Sequence, residues 1–297
     1  MRTVYVGTSE FAAAVLERLA ASHHRPALVV TRPPRPRGRG QQLELPPVAE
    51  AAEAMEIEAI APESINDEAT RERIAVVDPE AVCVCAFGAL IKDPLLSAFE
   101  MLNVHPSLLP RWRGAAPVER AIIAGDLETG VSIMRVTEGL DSGPVCLAAA
   151  EPIRPLDTYA TLAARLQDMG GQLLVRALDD RPPFTEQDDG EVTYAEKIEA
   201  ADRTLDPGRP AVELERVVRA LHPHIGARVA IADGGFLRVL AAAALDRGPA
   251  AGRLAAADGR LVLGCALGGL ELLAVQPPGG RPMDAAAYLR GHGPLVE

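Results

Sequence analysis

At 297 residues the chain is longer than one compact domain usually is, so two domains are expected. Its 48% hydrophobic and 24% charged residues give ample material for cores, and a formal net charge of −11 excludes a generic electrostatic nucleic-acid binder. Four cysteines without framework spacing exclude a disulfide scaffold, and no apolar run approaches the ~20 residues of a membrane span.

The charge is uneven. From Pro207 onward 10 arginines face 8 acidic residues, a balance of +2, which leaves 20 basic and 33 acidic residues, or −13, before it. Such a chain is suited to touching an anion through local patches only. The opening MRTVYVG is strand-like with no signal-peptide character, and a cytoplasmic, reduced protein is expected.

In chain order, Thr3–Gly7 is predicted as a buried strand, Phe11–Ala21 as a helix, Pro26–Thr31 as a strand and Val48–Met55 as a helix. Helix Glu68–Val77 then precedes strand Ala81–Ala86, and Asn103-Val104-His105 closes a further short strand. Alternating β and α elements with continuous apolar strands predict a parallel sheet covered on both faces. The first turn, Gly7-Thr8-Ser9-Glu10-Phe11, has one glycine where a dinucleotide fingerprint needs three, so nicotinamide and flavin are disfavoured.

After the second strand, Arg32, Arg35, Arg37 and Arg39 appear with no acidic residue until Glu44. Proline stiffens this loop and arginine offers planar forks to phosphate oxygens. The loop either grips a nucleic-acid backbone at one place or is simply solvated, and the residues alone leave both open.

Asn103 and His105 end a strand at the carboxyl edge, where ligands bind in open α/β sheets, and alternation puts them on one face with Val104 on the other. The amide donates without charge and the imidazole switches charge near neutral pH, although the pattern also suits a structural histidine. Ser107–Pro110 and Arg111–Gly114 form an irregular loop, with Trp112 a packing wall for a flat ligand. Pro117 opens helix Val118–Ala124, which Gly125 stops. Strand Val131–Val136 follows, then a turn carrying Asp141, expected at the same carboxyl edge as Asn103 and His105. There it can hold the imidazole and favour its charged form, or it can serve turn geometry alone.

Asp157 is predicted to cap a long helix with Leu162, Leu166, Met169 and Leu173 on one face. The Pro-, Gly- and acid-rich stretch Asp179–Pro210 is expected as a linker, and helix Ala211–Leu221 leads into short strands with turns at ADGG, ADGR and LGG. Cys83 and Cys85 are expected as free core cysteines. His222 and His224 lack a third ligand, and no metal is expected. The fold class is therefore α/β, with a Rossmann-like, mostly parallel N-terminal sheet and a small antiparallel, OB-like C-terminal barrel. The expected domains are 1–185, a linker at 186–206, and 207–297.

NVHPSLLPRWRGAAP followed by AGDLETGVSIMRVTEGLDSGP resembles, in order and spacing, the signature of the folate-dependent formyltransferase family. The resemblance implies catalytic roles for Asn103, His105 and Asp141. It implies 10-formyltetrahydrofolate as cosubstrate, held by Phe87, Gly88, Ala89, Leu90, Ser107, Leu108, Leu109, Pro110, Gly139 and Leu140. The implied mechanism has an amine attack the formyl carbon, Asn103 and protonated His105 donate to the oxyanion, and Asp141 orient His105. The signature does not choose the acceptor, since relatives formylate nucleotide sugars or glycinamide ribonucleotide with the same three residues.

Three stretches are similar to the branch that formylates initiator methionyl-tRNA for translation initiation. They are PRPRGRG with Arg39 at its key arginine, TYAEKIE (Thr193–Glu199), and the C-terminal region ending PPGGRPMDAAAYLRG. That similarity implies tRNA contacts for Arg32, Arg35, Arg37 and Arg39, an initiator-tRNA partner, a monomer and no membrane. Departures fall at Gln41 and Gln42, at Pro144 after GLDSG, and at His224-Ile225, where an aromatic-proline pair is expected.

Overall fold

The computed structural model describes residues 1–37, 42–231, 234–257 and 259–292. Contact clustering divides the chain into two compact units, one of residues 1–117, 128–152 and 163–195, the other of 118–127, 153–162 and 196–297.

In the first unit the elements run β1 Thr3–Gly7, α1 Glu10–Ala20, β2 Pro26–Val30, β3 Arg35–Arg37, β4 Gln42–Glu44, α2 Pro47–Ala54, β5 Ala59–Ile60, α3 Glu68–Val77, β6 Ala81–Cys85, α4 Leu95–Ala98, β7 Met101–His105 and β8 Arg113–Gly114. β9 Glu128–Arg135, β10 Val145–Pro152 and β11 Tyr194–Ala195 complete it, with α6 Tyr159–Asp180 from residue 163 on, while α5 Pro117–Ala124 falls almost wholly in the second unit. Seven strands form one sheet in the order β10-β9-β7-β6-β1-β2-β5. From β5 to β7 the pairing is parallel, while β9 runs antiparallel to β7 and β10 antiparallel to β9.

Every residue of β1 and β6 is buried, as continuous apolar strands between two helical layers require. α1 follows from spacing, since Phe11, Ala12, Val15, Leu16, Leu19 and Ala20 are its buried residues, and from the Ser9 hydroxyl accepting the Ala12 N–H. Gly7 lets it pack, because a Cβ there would lie 2.9 Å from both Ala12 Cβ and the Cys85 carbonyl. One face of the sheet carries Val4, Val6, Leu28, Val30, Val82, Val84 and Met101 against Ile74 of α3 and Leu95 of α4. On the other face α6 comes so close to β7 that a Cβ on Gly170 would stand 2.9 Å from Val104 Cγ1.

Strand and helix ends agree with the expectations to within a residue or so for most elements, and β9 begins three residues earlier than expected, at Glu128. The cap of α6 is corrected. Thr158 Oγ1 accepts the Thr161 N–H at 3.4 Å, while Asp157 accepts the Arg154 N–H at 2.7 Å and the Thr161 hydroxyl at 2.8 Å. Asp157 thus closes the preceding turn, because Thr158 is the residue adjoining the first helical position.

In the second unit α7 Ala211–Leu221 precedes β12 Ala227–Ala230, β13 Phe236–Leu245, β14 Leu254–Ala257, β15 Arg260–Gly264, β16 Gly269–Gln276, β17 Met283–Asp284 and α8 Ala285–His292. The strands pair antiparallel in the order β12-β13-β16-β15-β14, with β17 on β16. Ala211, Leu214, Val218 and Leu221 recur at helical spacing on α7 and bury against Leu237, Val239, Leu261, Leu263, Leu270 and Leu272. Each such Leu or Val contributes about 1.5–3 kcal/mol by leaving water.

Candidate active site

β7 presents Val104 to α6, so alternation turns Asn103 and His105 to the opposite face. In register, Asn103 stands beside Val84 on β6 and Met134 on β9, and His105 beside Ser132. Asn103 is half-buried, and its side-chain amide makes no hydrogen bond among the described residues. His105 is 4% exposed. Its Nε2 lies 2.8 Å from the Trp112 carbonyl and its Nδ1 3.6 Å from Asp141 Oδ2. A carbonyl only accepts, so Nε2 carries a proton; Nδ1 faces a carboxylate, which also only accepts when ionised. The Nε2–H therefore lies on the Trp112 carbonyl, and Nδ1 stands within ion-pair reach of Asp141.

Asp141 meets His105 at the carboxyl end of β7 as expected, but the turn that carries it starts at the other end. Because β9 is antiparallel, Arg135 pairs with Leu102 and the Val136 N–H bonds the Met101 carbonyl at 2.9 Å, at the amino end of β7. The turn carrying Asp141 therefore starts there and doubles back to His105, four residues along β7 or about 13 Å at a strand's rise. Asp141 sits in the left-handed region at φ 45°, and its Oδ2 accepts the Gly114 N–H at 2.9 Å. Gln187 Nε2 donates to the Asp141 and Gly143 carbonyls at 2.8 and 2.7 Å.

Around the imidazole the loops are tied down by polar contacts. The buried Ser132 hydroxyl donates to the Ser107 carbonyl at 2.7 Å and accepts the Leu109 N–H at 3.1 Å, fixing Ser107–Pro110. Trp112, at φ 63°, gives its N–H to Thr193 Oγ1 at 3.0 Å, and its ring lies 4.3 Å from the Arg111 guanidinium carbon. Gly114 is at φ 122°, where a Cβ would stand 2.7 Å from the Ala195 carbonyl. That close approach lets β8 pair with β11 while the Gly114 N–H stays on Asp141.

Residues 179–210 contribute more to this site than composition suggests. Thr185 exchanges backbone bonds with Val145, Thr193 accepts from Trp112 and Arg113, and the Ala195 carbonyl accepts from Ala115 and Ala116. Gln187 and Thr193 are site residues that sequence reasoning missed. For Thr193 the TYAEKIE stretch was a signal; for Gln187 no local pattern was available.

Phe87–Leu90 follows Ala86, itself at φ 42°. Phe87 is buried and its carbonyl accepts from Thr8 Oγ1 at 3.0 Å, and the Leu90 carbonyl accepts from Asn66 Nδ2 at 2.9 Å. Gly88, at φ 72°, has open space where a Cβ would be, and Ala89, Leu90, Gly139 and Leu140 are exposed. The four arginines separate: Arg32 donates to the Gly88 carbonyl at 2.7 Å, while Arg35 is exposed on the β3–β4 hairpin. Arg37 ends β3, and Arg39, with Gln41, lies outside the described residues.

Among the described residues, one cluster could gather three metal ligands. His23 and His24 both place Nε2 on Asp179 Oδ1, at 2.7 and 2.8 Å. His224 instead pairs with Glu119 at 2.9 Å and stacks on Tyr159 at 3.7 Å. Burial pushes the Cys83 and Cys85 thiols up to about 12, which leaves them protonated and inert in the core. No helix among the described residues is long and apolar enough to cross a membrane.

Comparison with known proteins places this geometry in context. The family profile described as formyl transferase matches residues 1–178, and that of the formyl transferase C-terminal domain matches residues 197–293. The methionyl-tRNA formyltransferase of Methylococcus capsulatus is 41% identical over 300 residues, covering 98% of this chain and 97% of its own. That of Dechloromonas aromatica is 40% identical over 296 residues, covering 98% and 96%. The N-formyltransferase from Helicobacter canadensis, solved with folinic acid and dTDP-3-aminofucose, superposes with a TM-score of 0.66 at 15% identity over 92% of this chain and 98% of its own. HypX from Aquifex aeolicus in complex with tetrahydrofolic acid gives 0.65 at 17% identity over 97% of this chain, which spans about half of HypX (47%). At those identities the two structures share the fold.

Proposed function

The chain belongs to the formyl transferase family, and from that premise we propose that it transfers the formyl group of 10-formyltetrahydrofolate to the α-amino group of methionyl-initiator tRNA. The observation that carries the reading is the paired engagement of His105, between Asp141 and the Trp112 carbonyl, next to the uncommitted amide of Asn103. Full-length relatives at about 40% identity are methionyl-tRNA formyltransferases, which favours tRNA over a small amine as acceptor.

The amine nitrogen bonds to the formyl carbon, the bond from that carbon to folate N10 breaks, and one proton passes from the amine to N10. Asn103 donates to the oxyanion that forms on the way. His105 assists only if its Nε2–H leaves the Trp112 carbonyl. An oxyanion is the stronger acceptor, and the Ser107 hydroxyl, 3.4 Å from the Trp112 carbonyl, remains as that carbonyl's donor. Asp141 stays on Nδ1 and orients the ring while this exchange happens. A folate-derived donor fits the exposed ridge of Gly88–Leu90 and Leu140, whose apolar side chains and open Gly88 leave room for a flat ring, with Ser107–Pro110 and Gly139 completing its contacts.

In this reading residues 1–185 perform the chemistry, 186–206 link, and 207–297 bind tRNA together with Arg35, Arg37 and Arg39, while Arg32 stays on the Gly88 carbonyl of the folate side. The protein acts as a cytoplasmic monomer without a metal. A labelled-formyl assay with charged initiator tRNA, charged elongator tRNA and small amines tests it. Strong preference for initiator methionyl-tRNA is expected, and formylation of small amines alone would sink the proposal.

A further inference from the structure

Val145 and Thr185 exchange backbone hydrogen bonds at 2.8 and 2.9 Å in an antiparallel bridge. That register sets position 187 across from position 143, beside the turn that carries Asp141. Gln187 engages both ends of its amide there. Its nitrogen donates to the Asp141 carbonyl at 2.8 Å and the Gly143 carbonyl at 2.7 Å, and its oxygen accepts from Arg113 Nε at 2.9 Å. Arg113 is 5% exposed, and a second guanidinium nitrogen reaches Asp189 at 3.2 Å.

Arg113 stands between two residues that touch the reacting pair. The carbonyl of Trp112 accepts from His105 Nε2, and the N–H of Gly114 holds Asp141 Oδ2. Through Arg113, Gln187 therefore couples the loop holding one nitrogen of His105 to the turn holding the other. The turn needs such support, because a non-glycine residue at φ 45° persists only where its surroundings fix it.

We propose that Gln187 is a positioning residue for formyl transfer, clamping the Asp141–Gly143 backbone to Arg113 so that the Asp141 carboxylate stays on His105. The inference rests on the reading of Asp141 and His105 as the reacting-site pair.

Gln187→Met keeps the length of the side chain but removes its donors and acceptor. In the full-length enzyme kcat is expected to fall about 10- to 100-fold, as for a misplacement of ångström size, with both KM values within about twofold. Gln187→Glu keeps an acceptor for Arg113 but turns a carboxylate oxygen toward two carbonyls, so it is expected to lose at least as much. Wild-type turnover in Gln187→Glu, or a loss confined to KM in Gln187→Met, would overturn the proposal.

Combination with Asp141→Asn separates the possibilities. If Gln187 acts through Asp141, adding Gln187→Met to Asp141→Asn costs no further turnover. Equal fold losses in both backgrounds would assign Gln187 to general stability and overturn its positioning role. Wild-type turnover in Asp141→Asn alone would overturn the site reading itself, and is visible without any Gln187 variant. Thermal midpoints identify folded variants, and Gln187→Glu carries the test if Gln187→Met does not fold.

Discussion

His105 has a partner on each ring nitrogen within the protein, whereas Asn103, two residues earlier on the same strand face, has none for its side chain among the described residues. The two residues should therefore separate activity from stability. Asn103→Ala is expected to lower turnover by about 10² to 10³, the usual effect of losing one oxyanion donor. Its thermal midpoint should hardly move, because a half-buried amide with no partner contributes under about 0.5 kcal/mol. A large drop in melting temperature would instead mark Asn103 as structural. Asp179 gives a prediction of a different kind. The hydrogen bond from His24 holds its carboxyl below the ordinary range, with the charge of His23 adding to the effect. Stability from this contact is present above the unfolded carboxylate's value near ~4 and is lost as pH falls through the lowered folded value. Urea midpoints of wild type and Asp179→Asn should therefore differ at pH 6 and converge once pH falls below the lowered folded value. A gap that persists in acid would refute this.

Helices and strands followed their periodicities closely, and single polar residues cap α1 and α3. Ser9 caps α1 through the Ala12 N–H, and Ser9→Ala should cost about 1 kcal/mol. Because α1 packs on the sheet that carries β7, the lower denaturant midpoint should come without a change in either KM. A raised folate KM would place Ser9 in the site instead. α6 shows where local reasoning slipped, since both Asp157 and Thr158 are good capping residues and only backbone geometry picks the one that adjoins the helix. β9 shows what local reasoning leaves open. Its residues fit a strand in either direction, so the route by which Asp141 comes to His105 was not legible. Antiparallel pairing with β7 sets the start of its turn at the opposite edge.

Across the whole molecule the tension is between a net charge of −11 and a polyanionic substrate. Non-specific binding of tRNA rests on phosphate neutralisation, so an acidic protein must concentrate its basic groups. On the proposed reading Arg35, Arg37 and Arg39 supply such a place, while Arg32 donates to the Gly88 carbonyl. The dependence of kcat/KM for tRNA on salt should therefore be shallow, losing roughly one unit of log–log slope for each of Arg35, Arg37 and Arg39 changed to alanine. Arg32→Ala should leave the slope unchanged and raise the folate KM. An equal slope change for all four would restore them to one patch.

The sequence by itself determined the two-unit α/β organisation, the apolar strands, the face shared by Asn103 and His105, and the formyl transferase signature. These are set by periodicity and by residue order over short distances. Tertiary structure decided the direction of β9, the route by which Asp141 meets His105, and the strap from Thr185 to Ala195 that holds both loops. It also decided that Gln187 belongs to the site. Such features arise from backbone hydrogen bonds between segments up to about eighty residues apart, as from the Arg113 N–H to the Thr193 carbonyl, and a backbone N–H or carbonyl leaves no trace in side-chain pattern. Asn103 and His105 were legible because their chemistry sits in their side chains. Ser132, Gln187 and Thr193, which fix the loops around them, were not, because their partners are main-chain groups of distant segments.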